Sequence, residues 1–259
     1  MLAAQFMAGR AGVFALDDEL ERVHNIRKAM TRQAGQLIKA DLHVHTCHSV
    51  DCLTPLEGIV QHCLATGIDC IAVADHNTIA GALALREIAP FKVIVAEEVL
   101  TPVGEIMGLF LSESVPRGLS PQETISRIRR QGGLVAIPHP FGRSLPWKTS
   151  PLTSAEVVPL VDIIEIFNSR TPLSSSIARA RRLAEEWGKA ASAGSDAHTV
   201  SEIGRAYVEM PDFDGPEDFL SALAQGEIVG QKSGYQAHFA STWARVRKRL
   251  LGGTMESSK

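Results

Sequence analysis

The stretch Asp41-Leu42-His43-Val44-His45 ends a run of apolar residues with two imidazoles placed two positions apart. Successive side chains of a β-strand alternate between faces, so His43 and His45 are predicted to point to the same side of a strand. Leu42 and Val44 are predicted to point to the other side. Two imidazoles on one face form half of a metal site, but one such pair alone is equally compatible with a structural role.

Three further strand-like segments end in histidine, and two of these histidines lie close to an aspartate. Residues 68–74 lead to Asp75 and His76, residues 134–138 lead to His139, and residues 190–193 lead to Asp196 and His198. In barrels and open α/β sheets the carboxyl ends of parallel strands gather at one edge, so residues distant in sequence converge there. The sequence therefore predicts one shared site at the strand ends.

Between these segments strands alternate with helices, a pattern typical of a parallel sheet covered by helices. Thr54-Pro55 and Ser120-Pro121 each predict a helix start, because a capping side chain precedes a proline at the first helical position. The strands are predicted from residue 38 and over residues 68–74, 92–96, 105–111, 134–137, 161–167, 190–193 and 205–210. The helices are predicted over residues 14–37, 55–66, 79–88, 121–131, 174–187, 216–225 and 238–251.

Length and charge set broad limits on the class of protein. The chain of 259 residues is long enough for one large α/β domain, while length alone leaves two small domains open. A net charge of −3 gives no global basic field for nucleic acid, although local basic clusters could still bind phosphate. No membrane span or secretory signal is predicted, so a cytoplasmic location without a membrane partner or an obligate protein partner is expected.

Two groups of residues fit structural roles better than functional ones. The cysteines form no C-x-x-C pair, which favours reduced thiols in an intracellular core over a zinc knuckle. The C-terminal helix is basic and amphipathic, and a solvated face is favoured there over contacts with a phosphate backbone. The residues concerned are Cys47, Cys52, Cys63 and Cys70, and Arg245, Arg247, Lys248 and Arg249.

Imidazoles and carboxylates at the strand ends are the candidate metal ligands. Together these groups suit Zn, Mn or Fe better than Ca or Mg alone. They exceed what one tetrahedral ion can use, so two or three divalent ions are predicted, with Glu98 and Asp196 as candidate bridges. Two ions roughly 3.5–4 Å apart can activate a water and neutralise the oxygens of a phosphoryl displacement, which makes hydrolysis the predicted chemistry. The candidates are His43, His45, Asp51, His76, Glu98, His139, Asp196 and His198.

The same motifs, in this order, resemble the PHP domain family, named for bacterial polymerase and histidinol phosphatase, over residues 39–210. The resemblance implies a distorted (β/α)7 TIM-like barrel with a trinuclear metal cluster at the C-terminal ends of the strands. It also implies a division of the ligands among the ions. One ion would take His43, His45, Glu98 and Asp196, a second would take Glu98 and His139, and a third would take Asp51, His76 and His198.

Two positions depart from the family pattern. Glu105 lies on a strand where many members supply a histidine, and Asn168 stands where some members have cysteine. Asn168 is therefore a candidate for ligating an ion or positioning a water. Asp75 could orient His76 or could simply cap a helix. Among the members of the family, the chain looks most like stand-alone bacterial phosphoesterases.

The leading hypothesis is a metal-dependent phosphoesterase that hydrolyses a phosphate ester through a water activated by the ions. Nucleotides, nucleoside bisphosphates or short oligonucleotides are the favoured substrates. A guanidinium fork matches phosphate oxygens, so Arg143 and Arg170 are candidates for binding phosphate, followed by Arg205. A salt bridge that fixes the local loop is an equal alternative for each arginine. The predicted catalytic residues are Asp196, His198, Arg143 and Arg170.

Three other functions remain open at this point. They are a small-molecule phosphatase of the histidinol-phosphate type, a non-catalytic PHP-fold binding module and a metal-dependent amide hydrolase. The nearly complete ligand set argues against the module, and the lack of a lysine at a matching strand end argues against the amide hydrolase. The predicted domain organisation is an N-terminal helical extension over residues 1–37, a catalytic barrel over 38–231, and a basic amphipathic helix and tail over 232–259.

Overall fold

The computed structural model describes residues 37–142, 151–233 and 236–252. The helix predicted over residues 14–37 lies outside these residues, except for Leu37, which begins the first strand. Arg143 also lies outside the described residues. The division of the chain after residues 37 and 231 stays a prediction.

The described residues alternate strands and helices in the predicted order. The strands are β1 (Leu37–Val44), β2 (Cys70–Val73), β3 (Lys92–Thr101), β4 (Gly104–Leu109), β5 (Leu134–Ile137), β6 (Ile163–Asn168), β7 (Ala190–Gly194), β8 (Ala206–Pro211) and β9 (Glu227–Gly230). The helices are α1 (Leu56–Thr66), α2 (Ala80–Ile88), α3 (Pro121–Arg130), α4 (Ser174–Trp187), α5 (Pro216–Ala224) and α6 (Gln236–Gly252). The bounds of β5 and α4 match the prediction to the residue.

Local sequence explains where several helices begin and end. Ser120 caps α3 because its hydroxyl oxygen accepts the Glu123 N–H at 3.2 Å. Gly67 ends α1 with a φ of 71°, a left-handed conformation that glycine adopts without strain. Thr54 does not cap α1 as predicted. Its hydroxyl donates instead to the His198 carbonyl at 2.9 Å, which ties the start of this helix to the strand-end region.

The nine strands form one sheet in the order β7-β6-β5-β4-β3-β2-β1-β8-β9, and this sheet curls into a nearly closed barrel. The barrel closes where the end of β1 meets the segment after β7. There the Asp196 N–H donates to the His43 carbonyl at 2.8 Å, and the His45 N–H donates to the Ala197 carbonyl at 3.0 Å. The predicted α/β, TIM-like barrel is confirmed.

Two parts of the sheet differ from a purely parallel arrangement. β3 continues beyond the predicted end at residue 96 and turns back into β4 between Thr101 and Gly104, and so short a connection joins only antiparallel strands. β8 is antiparallel to β1, and the unpredicted strand β9 pairs with β8 at the edge of the sheet. The strands that carry or precede the candidate ligands, β1, β2, β3, β5 and β7, all run in one direction.

Apolar side chains pack on both faces of the sheet. One cluster joins the strands to the surrounding helices through residues such as Ile59 of α1 and Leu85 of α2. A second cluster includes Ala40 and Ala72 and packs against Phe219 of α5. All four cysteines are free thiols, and all but Cys47 are buried, in line with the prediction of packed thiols. Within the described residues, no helix combines the length and the apolar character needed to cross a bilayer.

Candidate metal centre

The end of β1 brings two imidazoles into direct contact. His43 and His45 are both fully buried, and their Nε2 atoms lie 3.2 Å apart. Asp41 fixes this end of the strand, because its carboxylate accepts the backbone N–H groups of Ser195 at 2.9 Å and Gly204 at 2.8 Å. The predicted convergence of the two histidines is therefore present, and it is anchored to the segment that follows β7.

Glu98, on β3, lies at the middle of the cluster and is completely buried. Its Oε1 lies 2.8 Å from His139 Nε2, and its Oε2 lies 3.1 Å from His76 Nδ1. The same Oε2 is 3.6 Å from Nε2 of both β1 histidines, His43 and His45. Glu98 thus stands between groups from three strands, which is the position expected of a bridging carboxylate.

Asp196, His198 and Asp51 complete the cluster on the side of the barrel seam. Asp196 Oδ1 lies 3.2 Å from His45 Nε2. Asp51 stands between two imidazoles, with Oδ1 3.4 Å from His198 Nε2 and Oδ2 3.3 Å from His76 Nε2. All eight predicted ligands therefore lie in one connected cluster, although their role as ligands stays a prediction.

Two of these residues have a backbone conformation that is costly for a side chain other than glycine. His139 has a φ of 27° and Asp196 has a φ of 54°. Such left-handed conformations cost of order 1–3 kcal/mol and gather at functional sites, where the surrounding structure enforces them. The strain observed at both positions supports a functional role for this end of the barrel.

Contacts between the carboxylates and imidazoles of the cluster shift their pKa values. Burial opposes ionisation of Glu98, but His76 and His139 hold the pKa of this carboxyl well below its usual range. Burial likewise opposes ionisation of Asp196, whose pKa is held low by His43 and His45. Burial, helped by His198, lowers the pKa of His45 to about 3, so this imidazole is neutral at pH 7. The neighbouring carboxylates raise the pKa values of the buried His43, His76 and His139, so these imidazoles would have to release a proton when they bind a metal ion.

The donor set fits divalent ions. Glu98 Oε2, Asp196 Oδ1 and His45 Nδ1 are buried and have no hydrogen-bond partner among the described residues, and such atoms call for an explanation. Potential ligand atoms approach one another within 4.8 Å in four groups. These groups are His43/His45/Asp196, His43/Glu98/His139, His45/His76/His198 and His76/Glu98/Glu105. Nitrogen and carboxylate donors at this spacing suit Zn, Mn or Fe, as the sequence predicts.

Glu165, on β6, is a site residue that the sequence analysis missed. Its Oε1 lies 3.1 Å from His43 Nδ1, and its Oε2 accepts the His139 N–H at 2.7 Å. Asn168 Nδ2 also donates to Oε2 of Glu165, at 3.0 Å. A carboxylate at the Nδ1 of a histidine fixes the ring and leaves Nε2 for a metal ion. The sequence feature that could have indicated this residue is a single carboxylate within the otherwise apolar run 163–167.

Asp75 and Asn168, which the sequence analysis placed around the ligands, contact different groups. Asp75 does not hold the His76 ring; it accepts the N–H and the hydroxyl of Thr46, at 2.7 and 2.6 Å, and so fixes the loop after β1. Asn168 donates to Glu165 and, at 3.4 Å, to Asp196 Oδ2, an arrangement that orients carboxylates. Glu105 approaches His76 Nδ1 at 3.8 Å and His139 Nε2 at 3.9 Å, so its carboxylate lies at the edge of the cluster.

The predicted phosphate-binding arginines differ in position. Arg170 is buried beside the cluster, where its guanidinium donates to the Asp196 carbonyl at 3.4 Å and lies 3.8 Å from Glu202. It lines a cavity of about 310 Å³ together with His139, Asp196 and His198. Arg205 is exposed, donates to the Ser201 carbonyl at 3.4 Å and does not line this cavity.

The C-terminal helix α6 lies against the site, which differs from the solvated face that the sequence favoured. Ser241 and Arg245 line the same cavity as the cluster, and Arg245 Nη2 donates to Asp51 Oδ2 at 2.8 Å. The Lys248 ammonium donates to the carbonyls of Cys47 and Ser49. Positions 241, 245 and 248 share one face of a helix. Only part of the basic charge is therefore solvated, as at Arg247.

The chain is similar in sequence to proteins of one family. The PHP domain profile matches residues 41–100, and the PHP-associated profile matches residues 175–228. The uncharacterized protein MJ0417 of Methanocaldococcus jannaschii is 36% identical over 197 residues, which cover 72% of this chain and 79% of that protein.

Solved structures with the same fold are more distant in sequence. One is a two-domain protein from Bacteroides vulgatus that contains a predicted PHP-like metal-dependent phosphoesterase. It superimposes with a TM-score of 0.63 at 18% sequence identity, and the match covers 77% of this chain and 68% of that chain. Another is a lesion-specific endonuclease from Pyrococcus furiosus, with a TM-score of 0.56, 16% identity, and coverage of 74% and 58%. At these identities the likeness establishes the barrel fold.

Proposed function

The chain belongs to the PHP family of metal-dependent phosphoesterases, and from this premise we propose that it hydrolyses a phosphate ester of a nucleotide, a nucleoside bisphosphate or a short oligonucleotide. One observation carries the proposal. Two buried carboxylate oxygens, Glu98 Oε2 and Asp196 Oδ1, make no hydrogen bond among the described residues, although imidazole nitrogens lie 3.1 and 3.2 Å from them. Such an arrangement is costly unless cations complete it.

The residues that would hold two or three divalent ions are the eight of the cluster. His43, His45, Glu98 and Asp196 are assigned to one ion, Glu98 and His139 to a second, and Asp51, His76 and His198 to a third. The contacts of Glu98 with groups from several strands support its assignment as a bridge. When bound, the ions would supply an activated water and positive charge to offset the phosphoryl oxygens.

The protein's own groups would place the phosphate and shape the site. Arg170 lines the cavity and is held rigidly through its contacts with Asp196 and Glu202, so its guanidinium is a fixed source of positive charge. Asp196 and His198 also line this cavity, next to the barrel seam. Asn168 keeps Glu165 and Asp196 in place through its amide donors. Arg143 stays a predicted phosphate-binding residue outside the described residues.

The size and polarity of the site support the proposed substrate class. The cavity of about 310 Å³ lies at the lower end of the range for small-molecule sites, and acidic, basic and amide groups line most of it. A second cavity of about 520 Å³ lies beside His76 and Glu105 and is bordered by Arg117 and Lys248. A substrate with phosphate on either side of the scissile bond would therefore meet positive charge. The related endonuclease fold supports a nucleic-acid substrate.

The test combines metal analysis with a substrate screen on full-length protein purified without chelators. We expect two to three equivalents of Mn, Fe or Zn, with phosphate release from one class among nucleotides, nucleoside bisphosphates, short RNA, sugar phosphates and histidinol phosphate. Turnover of histidinol phosphate alone would favour the small-molecule phosphatase. Bound metal without turnover on any class would favour a binding module.

Two substitutions and one control connect the chemistry to the cluster. His43→Ala and Asp196→Ala should each lower metal content and reduce turnover by at least about 100-fold, because each removes a group that metal binding and charge stabilisation require. His62→Ala is the matched control, since His62 lies on α1, its Nε2 is 3.2 Å from the Ile203 carbonyl oxygen, and it is not one of the eight residues of the cluster. Full turnover in either cluster variant would contradict the proposed site.

A further inference from the structure

The C-terminal helix α6 is seated on the candidate metal centre by one of its faces. Ser241 Oγ accepts a hydrogen bond from Arg170 Nη2 at 2.9 Å, and Ala244 is buried to 3% exposure. Lys248 donates to two carbonyls of the loop after β1. These contacts hold the helix in place beside the site, and Arg245 lies between them on the same face.

Arg245 stands at the junction of the two cavities. It lines both the cavity of about 310 Å³ and the cavity of about 520 Å³. Its side chain is 47% exposed, and the contact with Asp51 Oδ2 uses one terminal nitrogen of a group that carries five N–H donors. Donors of the guanidinium therefore remain within reach of a molecule that enters either cavity.

A structural role alone explains this arrangement poorly. A half-exposed ion pair contributes little to stability, on the order of 0–1 kcal/mol, and Ser241, Ala244 and Lys248 already seat the helix. Asp51 also has three other polar neighbours, since it accepts the Ser49 hydroxyl at 2.9 Å and lies beside His76 and His198. Arg245 thus brings a cation to a carboxylate that does not need it as a partner.

Charge balance indicates what the guanidinium would bind. The single negative charge of Asp51 cannot neutralise both a divalent ion and the Arg245 guanidinium. A second anion that contacts both cations would therefore be favoured beside Asp51. Phosphate matches this requirement, because its oxygens accept from a guanidinium fork at short distance. We propose that Arg245 binds a phosphate oxygen of the substrate at the junction of the two cavities, which makes α6 part of the active site. This inference rests on the proposed function.

The test measures binding of inorganic phosphate to the metal-loaded, full-length protein by calorimetry, together with metal content. We expect Arg245→Gln to retain its metal and to bind phosphate roughly 10- to 100-fold more weakly, the loss expected for a hydrogen bond to a charged group. Arg245→Lys should fall between this variant and the wild type, because it keeps the charge without the fork. Arg247→Gln is the matched control on the same helix, since Arg247 is exposed and lines neither cavity.

Two outcomes would overturn the inference. One is phosphate binding by metal-loaded Arg245→Gln as tight as in the wild type. The other is loss of metal with normal phosphate affinity in the molecules that remain loaded, which would assign Arg245 to holding Asp51. Amide hydrogen exchange across residues 241–248 reports whether α6 stays docked in each variant. If α6 undocks in Arg245→Gln, the phosphate affinity of Arg245→Lys is compared with the wild type instead. Absence of turnover in the wild type would contradict the proposed function. It would not affect the comparison of phosphate affinities, because that comparison does not depend on turnover.

Discussion

Glu165 shows how a single carboxylate can organise the ends of several strands. It lies on β6, contacts the His43 ring and accepts the backbone N–H of His139, so it connects β6 with the ends of β1 and β5. With Nδ1 of His43 held by Glu165, Nε2 is the ring atom that a metal ion would bind, in place of the proton that it carries in the metal-free imidazolium. Burial lowers the pKa of His43, but Glu165 and Asp196 raise it well above its usual value. The carboxylate therefore controls both the orientation and the electrostatics of this imidazole.

Replacing Glu165 with glutamine should weaken the metal centre and leave the fold intact. The amide keeps the size of the side chain but removes its charge, so we expect metal affinity to fall by about 10- to 100-fold. The measurement is a competition titration with a chromogenic chelator, with thermal unfolding as the check on folding. Glu186→Gln, at an exposed position of α4, is the matched control. Unchanged affinity in Glu165→Gln would show that His43 does not depend on this contact.

The cluster could be predicted from sequence where its residues end or follow strands. His43, His76, His139 and His198 stand at such positions, and the direction of the strands brings them together. Glu165 could not be predicted in the same way, because it lies inside a strand and the apolar run around it reads as buried core. The role of such a residue depends on which side chains of the neighbouring strands lie next to it, and the sequence around it does not contain that information.

Among the strands and helices, β7 and β1 make the contact on which closure of the barrel depends. A Cβ atom at Gly194 would lie 2.3 Å from His43 Cβ and 2.7 Å from the His43 backbone nitrogen. Neither atom belongs to a flexible side-chain end that could move aside. The barrel can therefore close at this point only with glycine at the end of β7.

Gly194→Ala should destabilise the protein by about 1–3 kcal/mol, as expected for overpacking between rigid elements. It should also displace His43 and so reduce metal content. Urea denaturation gives the change in the free energy of unfolding. Gly58→Ala is the control, because its Cβ would meet the end of the Val200 side chain at 3.2 Å and alanine is favoured over glycine in a helix. Equal stability of the two variants would contradict the tight contact at Gly194.

Helices and central strands could be predicted because their signals are local. Caps, prolines and apolar periodicity lie within each segment, so β5 and α4 have the predicted bounds. The docking of α6 could not be predicted from its own sequence. The same basic pattern describes a solvated helix and a helix that supplies Arg245 to a cavity. The two are separated by groups of the barrel that lie far away in the sequence, such as Asp51, Arg170 and the carbonyls of Cys47 and Ser49. The short strand β9 has weak burial and no clear alternation of its own.

The candidate metal centre joins residues from across the whole barrel, because they belong to or follow β1, β2, β3, β5 and β7. Ions held by this cluster would bind the folded state and stabilise it by mass action. At a free ion concentration 100-fold above the dissociation constant the gain is about 2.7 kcal/mol. For a protein of this size that corresponds to a rise of roughly 5–10 °C in Tm.

Removal of metal should therefore lower the Tm by a similar amount, and restoring Mn or Zn should reverse the change. Differential scanning fluorimetry with and without a chelator measures the difference. A variant combining His43→Ala with Asp196→Ala should show a clearly smaller response to chelator and metal, because it lacks two central groups of the cluster but keeps Asp51, His76 and His198. A wild-type Tm that ignores the chelator at every metal concentration would contradict this prediction.

The seam of the barrel also has a consequence for folding. Asp41 and Ser195, which are hydrogen bonded across it, stand 154 positions apart in the chain. Contacts of such high sequence separation form late, because the entropy of closing a long loop must be overcome first. A nascent chain on the ribosome carries the β1 histidines long before the segment that completes their site has been synthesised. Closure of the barrel and assembly of the metal centre are therefore expected to be one event, near the end of folding.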